Sequence, residues 1–215
     1  MPTVEHLDAL RSLSIATLID VGANKGQFSI MARYLFPTID ICAFEPLESE
    51  RTRYKTVVKD PVRLHSTALG SVPGEANFFV TSRADSSSLL KPGAKQEAAY
   101  GVATRKSIKV RVARLADVID VSRMRRPILL KLDVQGGELD VLRGAESSLS
   151  QIDIVYCEVS FVELYAGQPL AGSIVAYMAS HGFSLRGVFN QSMTQDFGPT
   201  QADFLFTLDS VVARL

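Results

Sequence analysis

Short unbroken apolar runs recur along the chain. Most are followed by a stretch in which apolar residues return every three or four positions. The first run is ATLIDV, residues 16–21. A compact apolar run without strict alternation reads as a buried strand. After Gly22 and Gly26, the residues Phe28, Met31, Ala32 and Leu35 fall on one face of a helix, which Pro37 ends. IDICAFE (39–45) is a second strand, and Pro46 opens the next helix at a position where proline is tolerated. VRLHSTAL (62–69) reads as a third strand. EANFFVT and SIKVRVARL alternate in part and read as two more. PILLKLDV (127–134) and IDIVYCEV (152–159) are apolar strands, and each precedes a helical pattern. SLRGVF and ADFLFTL close the chain with no room for a helix between them, so a hairpin joins them. Residues 5–13 add a short amphipathic helix at the start.

Strands alternating with helices predict a doubly wound α/β sheet, mostly parallel, with helices on both faces and one antiparallel strand from the closing hairpin. Ligands then sit at the carboxyl ends of the strands. Asp20, Glu45, Asp133 and Glu158 all fall at such ends. No internal repeat or linker divides the chain, so residues 1–215 are expected to form one domain. Residues 82–106, rich in Ser, Ala, Gly and Lys, make a long connection expected to be a lid or insertion.

Composition narrows the function classes. With 215 residues, 47% hydrophobic and 21% charged, the chain can bury a large core. Lys plus Arg equals Asp plus Glu at 23 each, so no global charge draws it to nucleic acid or an anionic membrane. Arg123, Arg125 and Arg126 form the densest basic patch and read as a solvated loop. Cys42 and Cys157 lie inside apolar runs, without zinc-type spacing, and read as small buried hydrophobes. There is no signal-peptide pattern and no membrane span, so a cytoplasmic location is expected.

The glycine turn at residues 20–26 is neither a dinucleotide fingerprint nor a phosphate loop. Ala23 and Asn24 follow Gly22, so the glycine that lets backbone approach a pyrophosphate is missing. Gln27 follows Gly26, where a phosphate loop needs lysine. The two glycines allow a tight turn and close ligand approach. Asp20 would repel phosphate and favour a cationic group, while Glu45 could accept hydrogen bonds from ribose hydroxyls. A ribose with a positive group and no pyrophosphate fits S-adenosylmethionine. NAD remains an alternative, as does a non-catalytic nucleoside-binding protein.

IDVGANKGQFS, AFEP, DSSSLL, LLKLDVQGGELDVLRGA and EVSFVELYAGQ occur in order over roughly residues 17–190. Together they resemble the FkbM family of S-adenosylmethionine-dependent methyltransferases. The resemblance implies a Rossmann-like class I fold, a seven-stranded sheet, and O-methylation of a sugar, glycolipid or natural-product hydroxyl. It also implies that Asp20, Gly22, Asn24 and Gly26 line the methionine end of the donor and that Glu45 binds its ribose. Ser87, within the stretch 85–88, is expected to touch the donor's carboxylate, because small hydroxyls can satisfy it.

Three residues are candidates for the chemistry. Asp133 ends its strand with two glycines shortly after, which clears space beside it; it could act as base or hold the donor's ammonium. Glu158 ends a neighbouring strand, where an isolated acid needs a purpose or a partner, and Lys131 could be that partner. Two such carboxylates could also hold Mg²⁺, although no metal is expected. His65 has a side chain of suitable pKa for a base. His6 and His181 read as surface or cap residues. Phe161 reads as core, and Tyr165 as a residue that could line an acceptor pocket.

Overall fold

A computed structural model describes residues 6–212. In chain order, α1 (Leu7–Leu10) leads to β1 (Thr17–Val21), α2 (Gln27–Leu35), β2 (Asp40–Phe44), α3 (Glu48–Val57) and β3 (Arg63–His65). Next come β4 (Ala68–Leu69), β5 (Gly74–Thr81), α4 (Ala94–Tyr100), β6 (Thr104–Ala113) and α5 (Leu115–Val118). The chain continues through β7 (Ile128–Leu132), α6 (Glu138–Gly144), β8 (Ile154–Ser160) and α7 (Ala171–Ser180). It ends with the hairpin β9 (Phe183–Thr194) and β10 (Gly198–Leu208), and α8 (Asp209–Val212).

Seven strands form one sheet in the order β3-β2-β1-β7-β8-β10-β9. Pairing is parallel from β3 to β8, and β10 runs antiparallel to both β8 and β9. The order reverses between β1 and β7, which opens a crevice above their carboxyl ends. Both faces of the central strands are covered, which is why they read as unbroken apolar runs. In β8, Ile154 and Tyr156 pack with residues of α1, α2 and α3. Val155, Cys157 and Val159 pack on the other face with residues of α5, α6 and α7.

One expectation changes. The run 62–69 is not one strand: β3 stops at His65, and β4 joins β6 and β5 in a separate three-stranded sheet. Ser66 and Thr67 interrupt the apolar pattern where the chain changes sheets. That small sheet has its own apolar cluster of Leu47, Ala68, Phe78, Val110 and Val112. The segment 82–106 has regular structure of its own. It contains a 3₁₀ turn at Ala84–Ser86 and α4, which Gly101 ends at φ +64°. Ser86, Ser87, Ser88 and Gln96 are buried.

The basic patch is consumed locally. Arg125 pairs with Asp40, Arg126 with Asp153, and Arg123 with Asp120. Cys42 and Cys157 are free and buried. Among the described residues, no helix is long and apolar enough to cross a membrane.

Candidate active site

A cavity of about 430 Å³ lies at the carboxyl ends of β1, β2 and β7. Its walls include Gly22, Asn24, Phe44, Glu45, Ser87 and Asp133. Pockets of this size hold drug-sized ligands.

The glycine turn is held against β7 backbone to backbone. Gly22 has φ +74°, and a Cβ there would stand 1.8 Å from the Asp133 carbonyl oxygen. Only glycine fits such an approach. Gly26 serves packing instead. It precedes α2 at φ +87°, where a Cβ would meet Val58 at 2.4 Å, and it does not line the cavity.

Asp20 does not open to the cavity either. It is fully buried within β1, and its Oδ2 accepts a 2.6 Å hydrogen bond from Ser29 Oγ, which itself accepts from the Tyr54 hydroxyl at 2.8 Å. Its Oδ1 faces Lys131 Nζ at 3.4 Å. Position along the strand suggested an exposed end, whereas side-chain direction turns Asp20 under α2. Lys131 therefore pairs with Asp20, and with Asp133 at 3.4 Å, rather than with Glu158. It also donates to the Gly22 carbonyl at 3.1 Å. Burial pulls its pKa down, but the Asp133 and Asp20 carboxylates outweigh that and raise it.

Glu45 follows β2 and is 5% exposed. Its Oε2 accepts from the Asn24 N–H at 2.9 Å and its Oε1 from the Leu47 N–H at 2.7 Å. The carboxylate thereby ties the glycine turn to the start of α3, and each oxygen keeps a lone pair. Burial pushes its pKa up to about 7, against the two backbone N–H groups, which favour ionisation. Asn24 supports the turn with its own side chain, accepting from the Lys25 N–H at 2.8 Å.

Asp133 and Glu158 do come together, through a residue that sequence reasoning missed. Gln135 Nε2 donates to Asp133 Oδ1 and to Glu158 Oε2, both at 2.8 Å. Gln135 Oε1 accepts from the Tyr165 hydroxyl at 2.8 Å. Gln135 sits at φ +60°, in the tight turn after β7. Glu138 holds that turn by accepting from the Val134 and Gly136 N–H groups. Asp133 lines the cavity; Glu158 stands behind Gln135 and does not. Burial first, then the nearby Asp133, Asp203 and Glu138 carboxylates, hold the Glu158 carboxyl well above the usual range.

Tyr165 is fully buried, so it supports the site rather than lining a pocket. Phe161 packs against Phe204 with ring centroids 6.0 Å apart. Ser87 lines the cavity, and its Oγ accepts from the Thr81 N–H at 3.2 Å. Ser88, its neighbour, donates to the Gln135 carbonyl at 2.8 Å.

His65 is not brought to the site. Its ring stacks on Phe44 with centroids 4.8 Å apart and does not line the cavity. Burial, then Arg63, lowers its pKa. His6 is the opposite case. It occupies the N-cap position of α1, but its side chain makes no capping bond and lines the cavity. Among the described residues, no group of three or more His, Cys, Asp or Glu side chains is arranged to hold a metal ion.

The strand order, the glycine turn after β1 and the acid after β2 define the fold of the S-adenosylmethionine-dependent, Rossmann-like methyltransferases. A candidate S-adenosylmethionine-dependent methyltransferase from Listeria monocytogenes superposes with a TM-score of 0.52, over 95% of this chain and 97% of that one, at 10% identity. A candidate tRNA (m1A22) methyltransferase from Streptococcus pneumoniae, solved with S-adenosyl-L-methionine, gives 0.50 over 94% and 72%, at 12% identity. The chain belongs to the FkbM methyltransferase family, since the Methyltransferase FkbM domain matches residues 20–185. The 2-O-methyltransferase NoeI of Sinorhizobium fredii is 29% identical over 161 residues, 70% of this chain and 66% of that protein. Methyltransferase 1 of Beauveria bassiana is 25% identical over 146 residues, 60% and 58% of the two chains. The chain thus spans less than two thirds of the length of either relative.

Proposed function

We propose that this chain transfers a methyl group from S-adenosylmethionine to a hydroxyl oxygen of a sugar, glycolipid or natural-product acceptor. The observation that carries the reading is Glu45: a buried carboxylate at the end of β2, lining the cavity beside the glycine turn, with one lone pair left on each oxygen. Two adjacent ribose hydroxyls are the partners such a group suits. The cavity is large enough for a nucleoside carrying an amino-acid arm. The turn beside Glu45 has Asn24 where a dinucleotide fingerprint has the glycine that admits a pyrophosphate, which disfavours NAD. NoeI, by its name, methylates oxygen. The donor, when bound, supplies an already activated methyl group, so the chain's own task is geometry and proton removal. Aligning an acceptor with such a group contributes about 7–11 kcal/mol in well-oriented systems.

Glu45 would hold the ribose, the Asn24 turn the methionine arm, and Asp133 the positive end of the donor. Both Asp133 oxygens already face an N–H donor, on Gln135 and Lys131. Taking up a proton there would strip Lys131 of part of its counter-charge, which favours a binding role for Asp133 over a base role. The test of the reaction is incubation with methyl-labelled donor and a panel of saccharides, glycolipids and polyketides. Label recovered as an alkali-stable methyl ether supports the proposal. Label found only on nitrogen or carbon would refute it.

Glu45→Gln should weaken donor binding roughly 10- to 150-fold, the loss of a charge-assisted hydrogen bond. With the Glu45 pKa near 7, the ionised form that accepts both hydroxyls gains population as pH rises. Donor affinity should therefore increase between about pH 6 and pH 8, by at most about tenfold per unit. Calorimetry across that range should show the slope vanish in Glu45→Gln.

The segment 82–106 is proposed to tighten over the ligands as a lid. Asp85 and Ser87 line the cavity, while Ser88 and Gln96 are anchored to the Gln135–Tyr165 group. Amide exchange at residues 84–90 should slow when S-adenosylhomocysteine is added. Equal exchange with and without it would refute closure.

A further inference from the structure

His6 lies at one end of the chain and Asp203 near the other. The fold brings them together on the sheet face that carries Lys131 and Tyr156, beside Phe28 of α2. His6 Nδ1 is 3.3 Å from Asp203 Oδ2. The same carboxylate oxygen accepts from the Tyr156 hydroxyl at 3.0 Å and from Asn190 Nδ2 at 2.7 Å. Burial raises the Asp203 pKa, but the hydrogen bonds from His6, Asn190 and Tyr156 together hold it below the usual range. The His6 ring meets Phe28 edge-on at 5.3 Å and Tyr156 at 5.6 Å, which fixes its plane. Lys131 Nζ lies over the Phe28 ring at 5.6 Å, so the face also carries a fixed positive charge. The side chains of His6 and Asp203 are only 20% and 14% exposed.

Asn190 Nδ2 is 3.0 Å and the Tyr156 hydroxyl 3.1 Å from the same His6 Nδ1. The two Asn190 amide hydrogens are directed at Asp203 Oδ2 and the Tyr156 hydroxyl, so neither is needed by Nδ1. The half-buried Asp203 carboxylate facing Nδ1 then favours the tautomer with its proton on Nδ1. Nε2 is then the basic nitrogen, and among the described residues it has no hydrogen-bond partner. His6 belongs to the cavity wall, as Asp133 does. The other candidates lack this combination. Both Asp133 oxygens are engaged, Glu158 is screened by Gln135, and His65 is outside the cavity.

We propose that His6, oriented by Asp203, is the catalytic base that takes the proton of the acceptor hydroxyl. This inference rests on the methyl-transfer reading given above. In the step, the acceptor O–H bond breaks and its proton goes to the Nε2 lone pair. The oxygen's electron pair forms the O–CH₃ bond. The S–CH₃ bond breaks, with its electron pair left on sulfur as a neutral thioether. The imidazolium then returns its proton to water. Asp203 is a positioning residue: it sets the tautomer and stabilises the imidazolium.

The test reads the dyad without donor or acceptor. The full-length chain is treated with diethyl pyrocarbonate at about pH 8, above the ordinary imidazole pKa of about 6.5, and each histidine is followed by peptide mass mapping. His6 should be carbethoxylated faster than His181, both of whose ring nitrogens face acceptors, Nδ1 the Tyr177 carbonyl and Nε2 the Glu146 carboxylate. Asp203→Asn should slow His6 by at least about threefold, since a carboxylate partner raises imidazole basicity. If Asp203→Asn does not fold, ¹⁵N NMR of the wild-type chain decides instead: a proton on Nδ1 supports the dyad, and one on Nε2 overturns it. His6 modified no faster than His181, or at a rate indifferent to Asp203→Asn, would also overturn it. With an acceptor that the wild-type enzyme methylates, His6→Gln should lose about 10²–10⁴-fold in turnover with S-adenosylhomocysteine affinity unchanged. Retained turnover would remove His6 from the chemistry. Failure of S-adenosylhomocysteine to bind would refute the donor reading while leaving the reactivity result to stand by itself.

Discussion

Lys131→Met is expected to destabilise the protein by about 3–5 kcal/mol, the usual consequence of removing one partner from a buried ion pair. Lys131 is 6% exposed and Asp20 is fully buried. The ammonium faces Asp20 Oδ1 at 3.4 Å and Asp133 Oδ2 at 3.4 Å, and donates to the Gly22 carbonyl at 3.1 Å. Methionine fills similar space and carries no charge. Asp20 then keeps only its bond from Ser29, and a carboxylate is left inside the sheet without a counter-charge. Urea unfolding should show a lower midpoint with an unchanged slope. Adding Asp20→Asn to Lys131→Met should recover part of the loss, because the orphaned charge goes with it. A single-variant loss below about 1 kcal/mol, as for an exposed pair, would show that Lys131 does not neutralise this site.

Asp133→Asn is expected to weaken donor binding roughly 10- to 150-fold, with kcat at saturating donor changed by less than about threefold. Asparagine keeps the size of the side chain and can still accept from Gln135, but it has no charge to offer a cation. Gln135 also holds Glu158, so the turn after β7 should keep its shape. Donor titration and single-turnover methylation, run on the same preparation, separate the two quantities. A fall in turnover of about 10²–10⁴ with donor affinity intact would instead make Asp133 the base and displace His6 from that role.

The parallel part of the large sheet was legible because its central strands are buried on both faces and so appear as apolar runs. The acids were found at strand ends for the same reason. Side-chain direction was harder to read. Lys131 on β7 and Asp133 just past its end are two apart in extended chain, so they point the same way, and that period-two signal was available in KLD. What placed Lys131 beside Asp20 was the register of β1 against β7, which pairs Asp20 with Lys131. Register is a property of two strands and cannot be read from either alone. Glu158 is one step further along: β8 pairs Tyr156 with Lys131, which leaves Glu158 level with the turn that carries Gln135.

The segment 82–106 contained a readable helix. AKQEAAY between Gly93 and Gly101 has strong helix formers and a glycine where a left-handed cap is needed. Its burial was not readable, since it depends on Tyr165 and Gln135 from the distant loops after β8 and β7. His6 had no local signal at all. Its partners Tyr156, Asn190 and Asp203 lie on β8, β9 and β10, and only the antiparallel hairpin carries the last two to the face where α1 ends up.

The central claim is that the cavity beside Glu45 is a binding site for S-adenosylmethionine. Calorimetric titration of the full-length chain with S-adenosylhomocysteine, alongside NAD, tests it most directly. The account predicts saturable binding of S-adenosylhomocysteine at one site per chain, weakened roughly 10- to 150-fold in Glu45→Gln, and weaker binding or none for NAD. Tighter binding of NAD, or S-adenosylhomocysteine binding indifferent to Glu45→Gln, would contradict it.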